Sequence, residues 1–228
     1  MTPYDGSLSL VRRGVVSSGG TLPDSVAVSG NLVYVANSGA DDANYTGFRL
    51  GFDGRLTAAP GSPFKAEGLG PFGSEFRPTD PDQLFVSNAH NTGADSGTIS
   101  AFTDSRNGTL TSVAGSPFAD DQMAPCWVEI SHDGQFLFTV NTASGTISRF
   151  QIDGGGALTL LGSTPVSQTG GVGAVDARLS PDGRYLFVDE SRIGKVGAFA
   201  VNGGNLTELA SSPTSLAAGA TPAGIVAS

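Results

Sequence analysis

One phrase recurs along this chain of 228 residues. A polar or glycine turn leads into Gly-x-Leu at Asp5-Gly6-Ser7-Leu8, Asp53-Gly54-Arg55-Leu56, Asn107-Gly108-Thr109-Leu110, Gly155-Gly156-Ala157-Leu158 and Gly203-Gly204-Asn205-Leu206. The leucines stand 48, 54, 48 and 48 residues apart. A unit repeated at that period cannot bury its apolar face alone and must stack on its copies. When the unit reads as short strands, the radial solution is a β-propeller.

Each repeat divides into four strand-like pieces. Strand a opens on proline and alternates apolar with polar residues, as in Pro23 to Ser29 and Pro125 to Ser131. That period of two is the pattern of a strand with two unlike faces. A tight turn follows, Ser131-His132-Asp133-Gly134 or Ser180-Pro181-Asp182-Gly183, in which glycine supplies the positive φ. Strand b is almost continuously apolar (Leu32 to Asn37, Leu84 to Asn88, Phe136 to Asn141, Tyr185 to Glu190), as expected between two neighbouring sheets. Strand c follows, as in Thr146-Ile147-Ser148-Arg149-Phe150. Strand d then ends on Gly-Ser-Pro-Phe (61–64 and 115–118) or a looser relative. The predicted fold is all-β, with four-stranded antiparallel blades at approximately 22–70, 71–124, 125–173 and 174–221. Partial blades flank them, a strand at 8–16 and another at 222–228.

Composition narrows the function. The chain holds 33 glycines and 13 prolines, which suits many turns between short strands. Its net charge of −9 would repel a phosphate backbone, so nucleic acid is not an expected partner. No run of about 18 apolar residues is present, so no membrane-spanning helix is expected. The single cysteine, Cys126 beside Trp127, excludes a disulfide within the chain and reads as a small buried hydrophobe.

The phrases Ser-Pro-Asp-Gly-Arg-Tyr-Leu-Phe-Val (180–188), Ser-Gly-Thr-Ile-Ser-x-Phe (144–150) and Gly-x-Leu-Thr resemble those of the lactonase-type seven-bladed propellers. That family includes bacterial 6-phosphogluconolactonase and fungal carboxymuconate-lactonizing enzymes. The resemblance implies a hydrolase that opens a small or sugar-derived lactone at the mouth of the central channel. The alternative is a non-catalytic propeller that binds protein or carbohydrate at its rim. The family's Gly-Pro-Arg-His pattern at the head of strand a has no match here. The five slots read Leu22-Pro23-Asp24-Ser25, Gly70-Pro71-Phe72-Gly73, Ala124-Pro125-Cys126-Trp127, Gly173-Ala174-Val175-Asp176 and Thr221-Pro222-Ala223-Gly224. Seven blades of this length need roughly 340 residues, so the chain is expected to be the C-terminal two-thirds of a longer propeller, a truncated gene product or an unusually short ring. An open arc would self-associate through its blade edges. The compartment stays open: a missing upstream segment would favour secretion or the periplasm, and its absence the cytoplasm.

In a meandering blade the b–c and d–a loops share the rim that surrounds the channel mouth. Candidate catalytic residues there are Glu190 and His90 as acid or base, Arg192 as an oxyanion clamp, and Asp176 at the head of a strand a. Asp24, Trp127, Asn88 and Asn141 are candidate substrate contacts. Asp41, Asp42 and Asp95 offer hard oxygen ligands that would suit Ca²⁺ or Mg²⁺ as cofactor.

Overall fold

A computed structural model of the chain describes residues 15–41, 43–167 and 173–228. The expected first strand at 8–16 and the Asp42 ligand therefore lie wholly or largely outside the described residues.

Four antiparallel sheets follow one another along the chain. Blade one holds β1 (Pro23–Ser29), β2 (Leu32–Asn37), β3 (Asn44–Leu50), β4 (Leu56–Ala58) and β5 (Phe64–Lys65). Blade two holds β6 (Pro71–Arg77), β7 (Asp80–Asn88), β8 (Thr98–Asp104), β9 (Leu110–Ser112) and β10 (Phe118–Ala119). Blade three holds β11 (Pro125–Ile130), β12 (Phe136–Asn141), β13 (Thr146–Ile152) and β14 (Leu158–Pro165). Blade four holds β15 (Ala174–Leu179), β16 (Tyr185–Glu190), a 3₁₀ turn (Ser191–Ile193), β17 (Lys195–Asn202), β18 (Asn205–Glu208) and β19 (Thr214–Ser215). The pairing is the a–b–c–d meander of a partial propeller. No helix among the described residues is long and apolar enough to cross a membrane.

Strand d departs from expectation in blades one, two and four, where it is broken into two short pieces that both pair with strand c. The recurring Ser-Pro sits at the break. Because proline has no N–H and the ladder is interrupted, the serine hydroxyl takes over as acceptor. Ser62 Oγ accepts the N–H of Gly47 (3.0 Å), Ser116 Oγ that of Ala101 (2.8 Å) and Ser212 Oγ that of Ala198 (2.9 Å). The tetrapeptide is a ladder repair, which explains its recurrence without any appeal to ligands. The expected strand at 222–228 is also corrected. The segment forms no ladder with any strand among the described residues.

The apolar residues form three clusters, one in each wedge between successive blades. Tyr34, Tyr45, Leu84, Val86 and Phe102 fill the first. Phe85, Ile99, Leu137 and Phe150 fill the second, and Phe138, Val140, Leu186, Val188 and Phe199 the third. Neighbours on one strand b thus serve opposite wedges, as Leu137 and Phe138 do. That is why strand b has no polar face. On strand a, Val128 and Ile130 (β11) and Ala177 and Leu179 (β15) are buried against the preceding blade. Their counterparts on β1, Val26 and Val28, have no preceding blade among the described residues and are 62% and 56% exposed.

Candidate functional site

The registers bring the ends of strands a and b and the start of strand c to one rim. Pro23 pairs with Asn37, Pro125 with Asn141 and Ala174 with Glu190; Asn88 pairs with Thr98 and Asn141 with Thr146. The b–c and d–a loops therefore share this rim, as the sequence indicated.

Asn88 and Asn141, expected to contact substrate, are instead fully buried. Each amide clips strand b to strand c. Asn88 Nδ2 donates to Thr98 Oγ1 (3.0 Å) and Ser100 Oγ (2.9 Å). Asn141 Nδ2 donates to Thr146 Oγ1 (3.1 Å) and Ser148 Oγ (2.8 Å). Asn37 does the same with Asn44 Oδ1 (2.9 Å) and Thr46 Oγ1 (3.1 Å). The sequence signal for this role was present: asparagine at the end of b recurs with Thr-x-Ser, or Asn-x-Thr, at the start of c.

Blade four breaks that pattern. Glu190 takes the asparagine place, with Lys195 and Gly197 opposite instead of Thr and Ser. The carboxyl is 2% exposed and neither oxygen has a hydrogen-bond partner. Burial, reinforced by Glu208 and opposed by Lys195, pushes it up to about 7. A Cβ on Gly197 would lie 2.8 Å from Glu190 Oε1, so the longer acid occupies the space of the missing serine. Glu190 is thus folded inward rather than presented to solvent at the rim. Replacing Glu190 by Asn together with Gly197 by Ser rebuilds the clip of the other blades. The double variant should gain about 1–3 kcal/mol in urea unfolding, with Glu190→Asn alone gaining less. A loss of stability in the double variant would show that the glutamate is favourably held.

The remaining predicted residues are scattered. Arg192 lies exposed on the 3₁₀ turn against Gly173, and among the described residues no ion pair joins it to Glu190. His90 is exposed, its ring covering Gly70 so closely that a Cβ there would lie 2.2 Å from the imidazole. Asp24 is exposed and Trp127 is half-buried against the third wedge. Asp41 and Asp95 are exposed. Among the described residues no three His, Cys, Asp or Glu side chains gather as a metal site.

One predicted residue does join a cluster. Asp176 on β15 accepts the N–H of Ala177 (2.7 Å) at Oδ1 and that of Ile225 (2.9 Å) at Oδ2. Its cross-strand partner is Asp189, whose Oδ1 accepts the N–H groups of Val175 (3.1 Å) and Asp176 (2.9 Å) across a bulge in the ladder. Asp189 Oδ2 is buried and unpartnered. Burial raises both carboxyls, and each sits in the field of further charges. Two residues along the same face, Arg178 Nη1 lies 3.2 Å from Glu129 Oε2. Glu129 Oε1 accepts the N–H of Leu179 (2.8 Å), and Glu75 Oε2 that of Ile130 (2.9 Å). These glutamates stitch each strand a to the next blade, where no backbone ladder runs. Burial pushes Glu129 up to about 7 and Glu75 well above the usual carboxylate range. The result is a polar row on strands a of blades two to four: Glu75, Glu129, Arg178, Asp176 and, behind it, Asp189. Arg178 is its accessible member, with a side chain 40% exposed. Sequence reasoning named only Asp176. The signal it passed over was acids and a cation at one repeated position of strand a (Glu75, Glu129, Arg178).

The model of the lactonase family, a seven-bladed β-propeller, matches residues 77–223, more than half of the chain. The chain belongs to that family. Solved structures agree in fold. A candidate 6-phosphogluconolactonase of Bacteroides uniformis shares 23% identity with a TM-score of 0.71, covering 84% of this chain and 57% of that one. A periplasmic gluconolactonase of Pseudomonas aeruginosa shares 21% identity with a TM-score of 0.69, covering 86% and 58%. This lactonase-family chain thus spans under three-fifths of the length of these relatives. No curated protein matches it in sequence. The family match covers β7 to β19, and so includes Glu129, Arg178, Asp176 and Asp189.

Proposed function

We propose that the protein is a lactone hydrolase acting on a small, sugar-derived lactone at the strand-a face of blades three and four. Membership of the lactonase family carries this reading. The row of Asp176 and Arg178 supports its chemistry. In this scheme an ionised Asp176 takes a proton from water as the water oxygen bonds to the lactone carbonyl carbon. Arg178 donates to the oxyanion of the tetrahedral intermediate through N–H groups that Glu129 leaves free. The ring C–O bond then breaks, and the leaving oxygen takes the proton back from Asp176. The products are one hydroxy acid and the unchanged enzyme. Asp189 holds the backbone of Asp176 and is a positioning residue.

The test is ring opening of glucono-δ-lactone and its 6-phosphate, followed in a pH-stat above the spontaneous rate. Arg178→Gln should lower kcat/KM by about 100-fold, the usual loss for one oxyanion donor. Asp176→Asn should lower it by a comparable factor. If the protein accelerates no lactone, the hydrolase reading fails.

A second reading, a non-catalytic module binding carbohydrate or protein, rests on a specific observation. Glu190, Asn88 and Asn141 are interior, and among the described residues His90 and Arg192 stand apart without a charged partner. Saturable binding of a sugar lactone or sugar acid without turnover would favour it.

A further inference from the structure

The second wedge holds an unexplained group at the same rim. Asp120 follows β10 and its N–H bonds to Gly97 O (2.9 Å). The same backbone bond marks the matching slot in the other blades, Ala66 to Ala43, Val166 to Gly145 and Leu216 to Gly194. Three blades fill the slot with an apolar side chain and one with an acid.

That acid is 1% exposed, and neither of its oxygens has a hydrogen-bond partner. Asn141 Oδ1, on the adjoining blade, is likewise buried and unpartnered. Both residues converge on one knot. Asp120 Oδ2 lies 3.0 Å, and Gln122 O 2.8 Å, from where a Cβ would stand on Gly97. The ring of Pro125, which pairs with Asn141, comes equally close. Ser148, the hydroxyl clipped by Asn141, is the polar side chain that faces Asp120. The charged neighbour is Asp121, of the same sign. In the first wedge the equivalent Asn88 Oδ1 receives the hydroxyl of Tyr45 (3.3 Å). The Tyr45 position on the next strand c is Ile99, so the second wedge lacks that donor. Three buried acceptors thus face one hydroxyl proton. The Glu190 wedge differs, because Lys195 supplies it with positive charge.

We propose that the wedge between blades two and three binds a monovalent cation, Na⁺ or K⁺, on the Asp120 carboxylate and the Asn141 amide oxygen. Hard cations take oxygen ligands, and a single carboxylate among neutral oxygens balances one positive charge but not two. The ion would tie two blades together at the rim, independently of any lactone chemistry.

The experiment is thermal unfolding of the whole chain at pH 8 in sodium, potassium or tetramethylammonium chloride at one ionic strength. The expected result is a saturable rise of about 5 °C in sodium or potassium over tetramethylammonium. That rise should vanish in the near-isosteric Asp120→Asn and shrink at pH 5, where protons compete for a carboxyl that burial pushes up to about 7. Line broadening of ²³Na by the wild-type protein, reversed by excess K⁺, tests binding without a variant. Equal midpoints in the three salts, or no ²³Na broadening that K⁺ reverses alongside a purely potassium-independent midpoint, overturn the proposal. Equal midpoints with stability that rises on acidification, and does so less in Asp120→Asn, would assign a proton to the site instead.

Discussion

Replacing Arg77 by alanine should cost about 3–5 kcal/mol of unfolding free energy, a large share of the stability of an ordinary domain. Arg77 ends β6 at the rim opposite the candidate site and is 9% exposed. Its Nε donates to Gly134 O (2.7 Å), in the a–b turn of blade three. Its Nη1 donates to Asp153 O (2.8 Å), in the c–d turn of the same blade, and to Gln83 Oε1 (2.9 Å). Gln83 Nε2 in turn reaches Gly154 O (3.1 Å). One guanidinium therefore holds both lower turns of the next blade, and no carboxylate shares the work among the described ion pairs. Truncation removes charge-assisted bonds and leaves the carbonyl of the buried Gly134 short of a donor. Lysine cannot reproduce a planar fork, so Arg77→Lys should recover less than half of the loss. Equilibrium urea unfolding measures both. A cost for Arg77→Ala below about 1 kcal/mol would mean that water replaces the guanidinium freely.

The second large effect is on pH. Glu129, Glu190 and Asp120 are pushed up to about 7 and Asp104 to about 6, in each case chiefly by burial. Glu75, Asp176 and Asp189 move the same way. Between about pH 4 and 7 the folded chain thus holds more protons than the unfolded one. Stability from these groups is fully present below their unfolded values and is lost as pH rises through the folded ones. The exposed Asp182 runs the other way, held near 2 by Ser180 and Arg184, but its change falls below that window. The thermal midpoint should therefore be higher at pH 5 than at pH 8, by on the order of 5–10 °C for a chain of this size. Glu190→Gln should flatten the slope. A midpoint that falls on acidification from pH 8 to 5 would contradict this account.

The all-β blade fold was legible in the sequence because turn chemistry and strand alternation are local. Asp-Gly and Gly-x-Leu dictate where the chain reverses, whatever surrounds them. The rim assignment followed from strand order alone. The roles of Asn88, Asn141 and Glu190 were not legible residue by residue, since they depend on which way the last side chain of strand b points. A bulge near the head of each strand a sets that register across the ladder. The repeated Asn with Thr-x-Ser was a usable clue: a residue found in three blades at one place serves the blade. The odd members of a repeated position, Asp120, Arg178 and Glu190, are the better guide to what is particular to this protein.

The three separate wedge clusters give the described residues no common centre. Their energetics are those of a short one-dimensional array, a sum of four blade terms and three nearest-neighbour couplings. Substitutions in different wedges should then combine almost independently, while two within one wedge should not. The outer blades, each coupled to the array on one side among the described residues, are the ones whose opening disturbs the rest least. Asp176, Arg178 and Asp189 all stand on blade four, at one end of that array, and only Glu75 and Glu129 lie on the better-coupled blades, so the candidate chemistry is housed in a part of the array that opens early.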